Sequence, residues 1–221
     1  MEPRFLGNNR RLGALWLGFA LLAFVCVALN CPSKLANGTT RGPAHPGVTP
    51  ELGVEPSTPK RKPLNLPLRN PRIVVKKGRR RLLLFSGDKL VRTYRIGLGL
   101  NPAGDKVRDG DRRTPLGNFY IFTRNAQSAF YLSLGLSYPN AAHAERGLRD
   151  GLIKRAQYDA IMRALKAREA PPQDTTLGGD IYIHGNGART DWTWGCVALE
   201  NEDIRELFDA VNVGTRVTIE P

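Results

Sequence analysis

The chain has 221 residues, room for one domain with appendages, and its apolar and charged fractions are those of an ordinary globular protein. Its net charge of +13 is not ordinary, and it is concentrated: from Lys60 to Arg113 there are 17 Lys or Arg against four Asp, while elsewhere the charges cancel. Such a basic span is either a solvated surface or a face for an anionic partner, whether nucleic acid, an anionic membrane surface or an acidic polymer.

At the N-terminus Arg4, Arg10 and Arg11 precede an uncharged apolar run of 18 residues, Leu12 to Leu29. That is near the lower limit for a bilayer-spanning helix and long for a signal-peptide core of roughly 7–15 residues. Residues 1–30 are therefore read as an uncleaved anchor in the inner membrane. Cleavage after Ala28, with Cys26 and Ala28 at the small-residue positions, is the alternative and would make the rest a secreted protein. Leu29-Asn30 before Cys31 fits a lipoprotein signal poorly. The basic residues favour a cytoplasmic N-terminus. The remainder is then a periplasmic domain of the cell envelope, and cytosolic nucleic acid is out of its reach. Between residues 30 and 69 there are eight prolines among Gly, Ser and Thr, and little apolar periodicity. Residues 31–69 read as an extended linker, partly polyproline II.

Residues 70–221 read as the folded domain. Arg72-Ile73-Val74-Val75-Lys76 and Arg81-Leu82-Leu83-Leu84-Phe85 are β-rich, with a turn at Lys77-Gly78-Arg79. Ser86-Gly87-Asp88-Lys89 is a hairpin signal before the alternating run Leu90 to Ile96. Gly97, Gly99 and Gly104 read as a flexible stretch, and Asp109-Gly110-Asp111 as a turn. Thr114-Pro115-Leu116-Gly117 leads into a strand over Asn118 to Phe122. A helix is expected over about Leu152 to Arg168, where Ile153, Tyr158, Ile161, Met162 and Leu165 share a stripe. A second is expected over Glu202 to Val211 with Asn201 as its N-cap. Arg216-Val217-Thr218-Ile219 closes the chain as a strand. The fold class is mainly β, built largely of antiparallel hairpins, with a few flanking helices.

Cys196 is the one thiol in that domain, since Cys26 and Cys31 lie in or beside the N-terminal apolar segment. A lone thiol in an exported domain has no disulfide partner, which favours chemistry over packing. A cysteine attacks a carbonyl as its thiolate, so it needs a base or a positive dipole nearby. His184 stands twelve positions upstream. The loop between them contains Gly185, Asn186, Gly187 and Asp191 and can return the chain alongside its start. The pair is a candidate nucleophile and base. The Gly195 and Cys196 amides are candidate oxyanion donors. The competing reading is a buried inert cysteine and a surface histidine. His45 and His143 lie far apart in the chain, so no metal site is expected, and no cofactor.

Taken together, these residues resemble the signature of the L,D-transpeptidase (YkuD-type) family of cell-wall enzymes. That signature is His-Gly followed, after a variable loop, by Ser/Thr-x-Gly-Cys, met here by His184-Gly185 and Thr193-Trp194-Gly195-Cys196. Gly110 through Phe119 resembles the family's Thr-Pro-x-Gly segment. Ser133 through Asn140 and Gly178 through Gly185 fit one branch of it, and the likeness covers about residues 72–220. Trp194 stands where many members have histidine, Ala198 where many have arginine, and the His–Cys loop is shorter than in much of the family. These departures mark a divergent branch.

The resemblance implies a small β-sandwich-type catalytic domain. In it Cys196 attacks the carbonyl at the L-centre of diaminopimelate in a peptidoglycan tetrapeptide stem, and His184 acts as general base and then acid. Gly195 and Thr193 would support the oxyanion site and its loop. Gly185, Asn186, Trp194 and Tyr138 are the substrate-binding candidates. Peptidoglycan stem peptides are the implied partners, with another stem or a wall-anchored protein as acyl acceptor. Water as acceptor would make a hydrolase. A non-catalytic wall-binding module is a further alternative.

Overall fold

The computed structural model describes residues 61–221. The anchor and most of the linker fall outside the described residues, and among those described no helix is long and apolar enough to cross a membrane.

Three short hairpin strands open the fold: β1 (Pro71–Lys76), β2 (Arg81–Ser86) and β3 (Lys89–Arg95). β2 alternates buried Leu82 and Leu84 with more exposed neighbours, whereas β1 buries Ile73, Val74 and Val75 in succession. The turns fall at the expected residues, with Arg80 and Gly87 at positive φ. The long β4 (Gly117–Ser128) and β5 (Tyr131–Leu136) form a third hairpin. The sequence reading ended β4 at Phe122 and did not identify β5. Polar Arg124, Asn125 and Gln127 carry β4 beyond the core as an exposed arm, where apolar alternation gives no signal.

Two helices follow, α1 (Ala141–Arg149) and α2 (Arg155–Ala167). α1 is a short helix capped by Asn140, whose side chain accepts from the His143 amide. It was not expected, because its small residues Ala142, Ala144 and Gly147 give a weak apolar stripe. α2 begins three residues later than expected. The Gln157 side chain accepts from the Lys154 amide at its start at 2.9 Å, leaving Ile153 buried in the preceding loop against Ile161 and Leu177. After β6 (Tyr182–His184) and β7 (Val197–Ala198) comes α3 (Asn201–Ala210), which buries Ile204 and Leu207. Its N-cap is Glu200 rather than Asn201, because the Asn201 side chain accepts instead from the Asn186 amide at 2.8 Å. β8 (Arg216–Glu220) ends the chain.

The strands lie in one sheet of order β3-β2-β1-β8-β4-β5-β6-β7. β8 inserts between the two halves, parallel to β1 and antiparallel to β4. β6 and β7 are also parallel, so the sheet is not purely hairpins. The sheet curls until the chain beyond β3 meets its far edge, where Gly97 bridges Ala198 and Gly99 bridges Thr193. This corrects the reading of Gly97 and Gly99 as flexible. A Cβ on Gly97 would lie 2.3 Å from the Thr190 carbonyl oxygen, and one on Gly99 2.2 Å from that of Arg112. Both positions are packed too closely for any side chain. The core inside the curl is built from Ile73, Val75, Leu82, Leu84, Leu134, Leu136, Ile183, Val197 and the inner face of α3. Leu64 and Leu68 pack against it from the end of the Pro-rich segment.

Candidate active site

β6 and β7 carry the two candidate residues. Their parallel register pairs Ile183 with Val197 and His184 with Ala198, so Cys196 enters β7 beside Tyr182. Between the strands, Asp191 holds the intervening loop. Its carboxylate accepts from the Arg80 guanidinium at 3.0 and 2.6 Å and from the Leu98 amide at 2.9 Å.

Cys196 is half-buried. Its Sγ accepts from the Tyr182 amide at 3.4 Å and donates to the Asp180 carbonyl at 3.3 Å. Burial pushes the thiol up to about 11; the Tyr182 amide and the Lys106 charge work against that rise, and the Asp180 carboxylate adds to it. The resting side chain is therefore a neutral thiol at neutral pH.

His184 is buried, its ring 4.6 Å from that of Phe130 and 5.5 Å from that of Trp192. Burial holds its pKa below the ordinary histidine value, with its bond to the Gly185 carbonyl opposing. Nδ1 lies 2.8 Å from that carbonyl oxygen. A carbonyl only accepts, so Nδ1 carries the proton and Nε2 is left with its lone pair. His184 is thus a neutral imidazole in one tautomer, not a surface histidine. Among the described residues no hydrogen bond joins His184 to Cys196: each is satisfied by backbone on its own side.

The cysteine loop is held from beneath. Thr193 is buried, and its Oγ1 donates to the Cys196 carbonyl at 2.8 Å while accepting from the Gly195 amide at 3.2 Å. That engages the Gly195 amide, so it is not a free oxyanion donor, contrary to the sequence reading. The Cys196 amide makes no hydrogen bond within the described residues and remains the available one. Gly195 has φ +137, and a Cβ there would lie 2.9 Å from the Arg113 carbonyl oxygen, so its role is close packing.

The remaining candidates separate. Trp194 is 67% exposed, stacks under the Arg112 guanidinium at 4.8 Å, and lines the same cleft as Cys196. Asn186 is exposed at the turn beyond β6, where its amide donates to Asn201. Gly185 has no room for a side chain, since a Cβ would lie 2.6 Å from Asn201 Oδ1. Tyr138 is fully buried and donates its hydroxyl to the Leu177 carbonyl at 2.9 Å. It is a core residue and touches no substrate; its place in a Ser-Tyr-Pro-Asn run concealed that. His143 is likewise structural: its ring nitrogens lie 2.6 Å from Asn140 Oδ1 and 3.1 Å from Asp105 Oδ1, tying α1 to the preceding loop. Among the described residues no cluster of three metal-ligating side chains occurs.

Cys196 opens onto a cleft of about 270 Å³ whose walls include Lys106, Asp109, Gln173, Asp180 and Trp194. Lys106 went unnoticed in the sequence. It is 2% exposed, and its Nζ donates to Asp111 at 2.9 Å and to the Arg108 carbonyl at 3.0 Å. Asp111 is itself held below the usual carboxylate range: burial acts against this, but the Val107, Arg113 and Arg108 amides and Lys106 outweigh it. The signal available in the sequence was Asp111 inside the Gly110–Phe119 motif. Nothing local shows that a lysine five positions earlier folds under it.

The sequence model of the L,D-transpeptidase catalytic domain, YkuD, matches residues 70–219. Among solved structures, the helical cell shape determining protein Pgp2 from Campylobacter jejuni is 22% identical, with TM-score 0.45 over 68% of this chain and 47% of its own. Bd1075 from Bdellovibrio bacteriovorus is 22% identical, with TM-score 0.44 over 69% and 48%. An L,D-transpeptidase from Xylanimonas cellulosilytica is 14% identical, with TM-score 0.41 over 72% and 65%. The chain thus spans less than two thirds of each. No curated protein sequence matches it.

Proposed function

This chain belongs to the L,D-transpeptidase catalytic domain family, and from that premise we propose that it is a cysteine acyltransferase acting on peptidoglycan stem peptides, exported and tethered by its N-terminal segment. The observation that carries the reading is the Cys196 thiol at the wall of a cleft, with its own amide unengaged and a neutral histidine of defined tautomer on the adjoining strand.

In this mechanism the stem enters the cleft and Cys196 Sγ leaves the Asp180 carbonyl, rotating toward His184. His184 Nε2 takes the thiol proton as Sγ bonds to the carbonyl carbon at the L-centre of diaminopimelate. The Cys196 amide donates to the oxyanion. The carbon–nitrogen bond to D-alanine then breaks, and His184 returns the proton to the departing amine. An amine from a second stem or a wall-linked protein attacks the thioester and regenerates the thiol. Both groups start neutral, so proton transfer accompanies the attack on the bound stem and no thiolate–imidazolium pair precedes it. Lys106 and Asp180, both lining the cleft, act in opposite directions on the field at Sγ.

A second reading, a wall-binding module without turnover, draws on the missing Cys196–His184 hydrogen bond and the raised thiol pKa. One experiment separates the two. The protein is incubated with a tetrapeptide muropeptide, and separately with a carbapenem, and its intact mass is followed beside Cys196→Ala. An adduct that requires Cys196 is the expected result. Cross-linked products then indicate a transpeptidase, and shortened or released products a hydrolase. A folded protein that binds wall material but forms no adduct and no product would overturn the catalytic reading.

A further inference from the structure

A cavity of about 570 Å³ has no residue in common with the Cys196 cleft. It lies across β1, β8 and β4, in the middle of the strand order, with β5 between them and β6 and β7. Its walls bring together three arginines and no carboxylate: Arg72 on β1, Arg216 on β8, and Arg168 at the C-cap of α2.

The register makes this arrangement costly on its own. Arg72 stands directly beside Arg216 in the parallel pair, and Arg216 stands opposite Tyr120 of β4. The Arg168 guanidinium lies 5.0 Å over the Tyr120 ring, so the third charge joins the same row. Like charges directly opposite each other destabilise a sheet. Among the described residues none of the three makes an ion pair. Elsewhere the fold does pair its arginines, as at Arg80–Asp191, Arg92–Glu206 and Arg146–Asp105. The groups are also held in place. Arg72 stacks 3.8 Å from the Phe85 ring centre and Arg168 stacks on Tyr120, so little rotamer freedom remains to be lost on binding. Guanidinium forks match carboxylates in two-point contacts. Beside them, Asn118 Oδ1 accepts from the Thr218 hydroxyl at 2.9 Å, which leaves the Asn118 amide nitrogen as a donor for a peptide carbonyl.

We propose that this groove is a second docking site for a carboxylate-bearing peptide, namely an acidic stem of the same wall polymer on which Cys196 acts. The choice of a stem peptide rests on the function proposed above. A concave groove with an amide donor beside three guanidiniums suits a peptide with several carboxylates better than a flat lipid surface. Bound there, one strand of polymer holds the enzyme while another stem reaches the Cys196 cleft, which raises the effective concentration of stems at the thiol.

The test uses the full chain carrying Cys196→Ala, so that chemistry plays no part, with and without R72Q, R168Q and R216Q together. Co-sedimentation with purified sacculi is measured at low and high salt. The triple variant is expected to bind about ten-fold more weakly at low salt, with a flatter salt dependence. Thermal unfolding of the free protein provides the control. The variant is expected to unfold at an equal or higher temperature, since it loses only repulsion. In the Cys196 background, acylation by a small soluble muropeptide is expected to be unchanged. Unchanged sacculus binding in a folded triple variant would overturn the groove. Binding to anionic phospholipid vesicles but not to sacculi, lost in the triple variant, would overturn the peptide assignment. Wild-type protein that binds sacculi through these arginines but forms no Cys196 adduct would sink the catalytic reading and leave the groove standing.

Discussion

Replacing Thr193 by valine isolates the device that holds the cysteine loop. The side chain is 3% exposed, and valine preserves its shape while removing the hydroxyl. Two bonds go: the one to the Cys196 carbonyl at 2.8 Å and the one from the Gly195 amide at 3.2 Å. A buried polar group left without a partner costs about 1–3 kcal/mol. The Thr114 hydroxyl, 3.5 Å from the same carbonyl, replaces part of the first bond, whereas nothing nearby replaces the second. The expected loss is therefore roughly 2–4 kcal/mol. In a domain of this size that lowers the unfolding midpoint by roughly 5–15 °C. Thr193→Ser keeps the hydroxyl and stays within about 1 kcal/mol of wild type. Chemical and thermal unfolding followed by circular dichroism measures both. A valine variant as stable as the serine variant would refute the argument, because the loop would then be held by packing alone.

The pH behaviour of the two site residues provides a second check. His184 has a lowered folded pKa, so the unfolded chain binds its proton first; stability falls as pH drops below about 6.5, and His184→Gln removes that dependence. Cys196 has the opposite sign. Its folded pKa is raised from 9.0 to about 11, so its contribution is complete below pH 9 and is lost between those values. Alkylation at Cys196, read by peptide mass spectrometry, is expected to keep accelerating past pH 10 in the free protein; a midpoint near or below pH 8.5 would mean a preformed thiolate. Lys106→Met removes a cation that favours the thiolate and strands Asp111, so it is expected to move the alkylation midpoint upward and to destabilise the fold by about 3 kcal/mol. An unmoved midpoint would exclude Lys106 from the field at Sγ. Trp194→Ala changes an exposed side chain and is expected to alter stability by less than about 0.5 kcal/mol. If Trp194 is a wall of the substrate cleft, the same variant slows acylation by a tetrapeptide; an unchanged acylation rate would leave it a surface residue.

Local sequence determined the parts whose causes are local. The β-rich runs Arg72–Lys76 and Arg81–Phe85, with turn residues between, sufficed for the first hairpin, and the His-Gly and Thr-x-Gly-Cys spacing sufficed to single out Cys196 and His184 as candidates. Thr193 could be named from the sequence as a support for the cysteine loop, and its two hydrogen bonds are the form that support takes. The failures have a common source in long-range packing. Gly97 and Gly99 read as flexible because a glycine looks the same whether it frees the chain or admits another backbone, and here the closing of the curled sheet decides for the second. Tyr138 read as a substrate contact because its burial depends on Leu177, which is remote in sequence. The Gly195 amide lost its oxyanion role to a hydroxyl two residues away whose direction only the folded loop sets. Lys106 and the Arg72–Arg216–Arg168 row could not be seen at all. They exist because β8 returns from the end of the chain to lie beside β1, and because a loop folds a lysine beneath Asp111. Residues far apart in sequence are brought together there by sheet register, which no local pattern encodes.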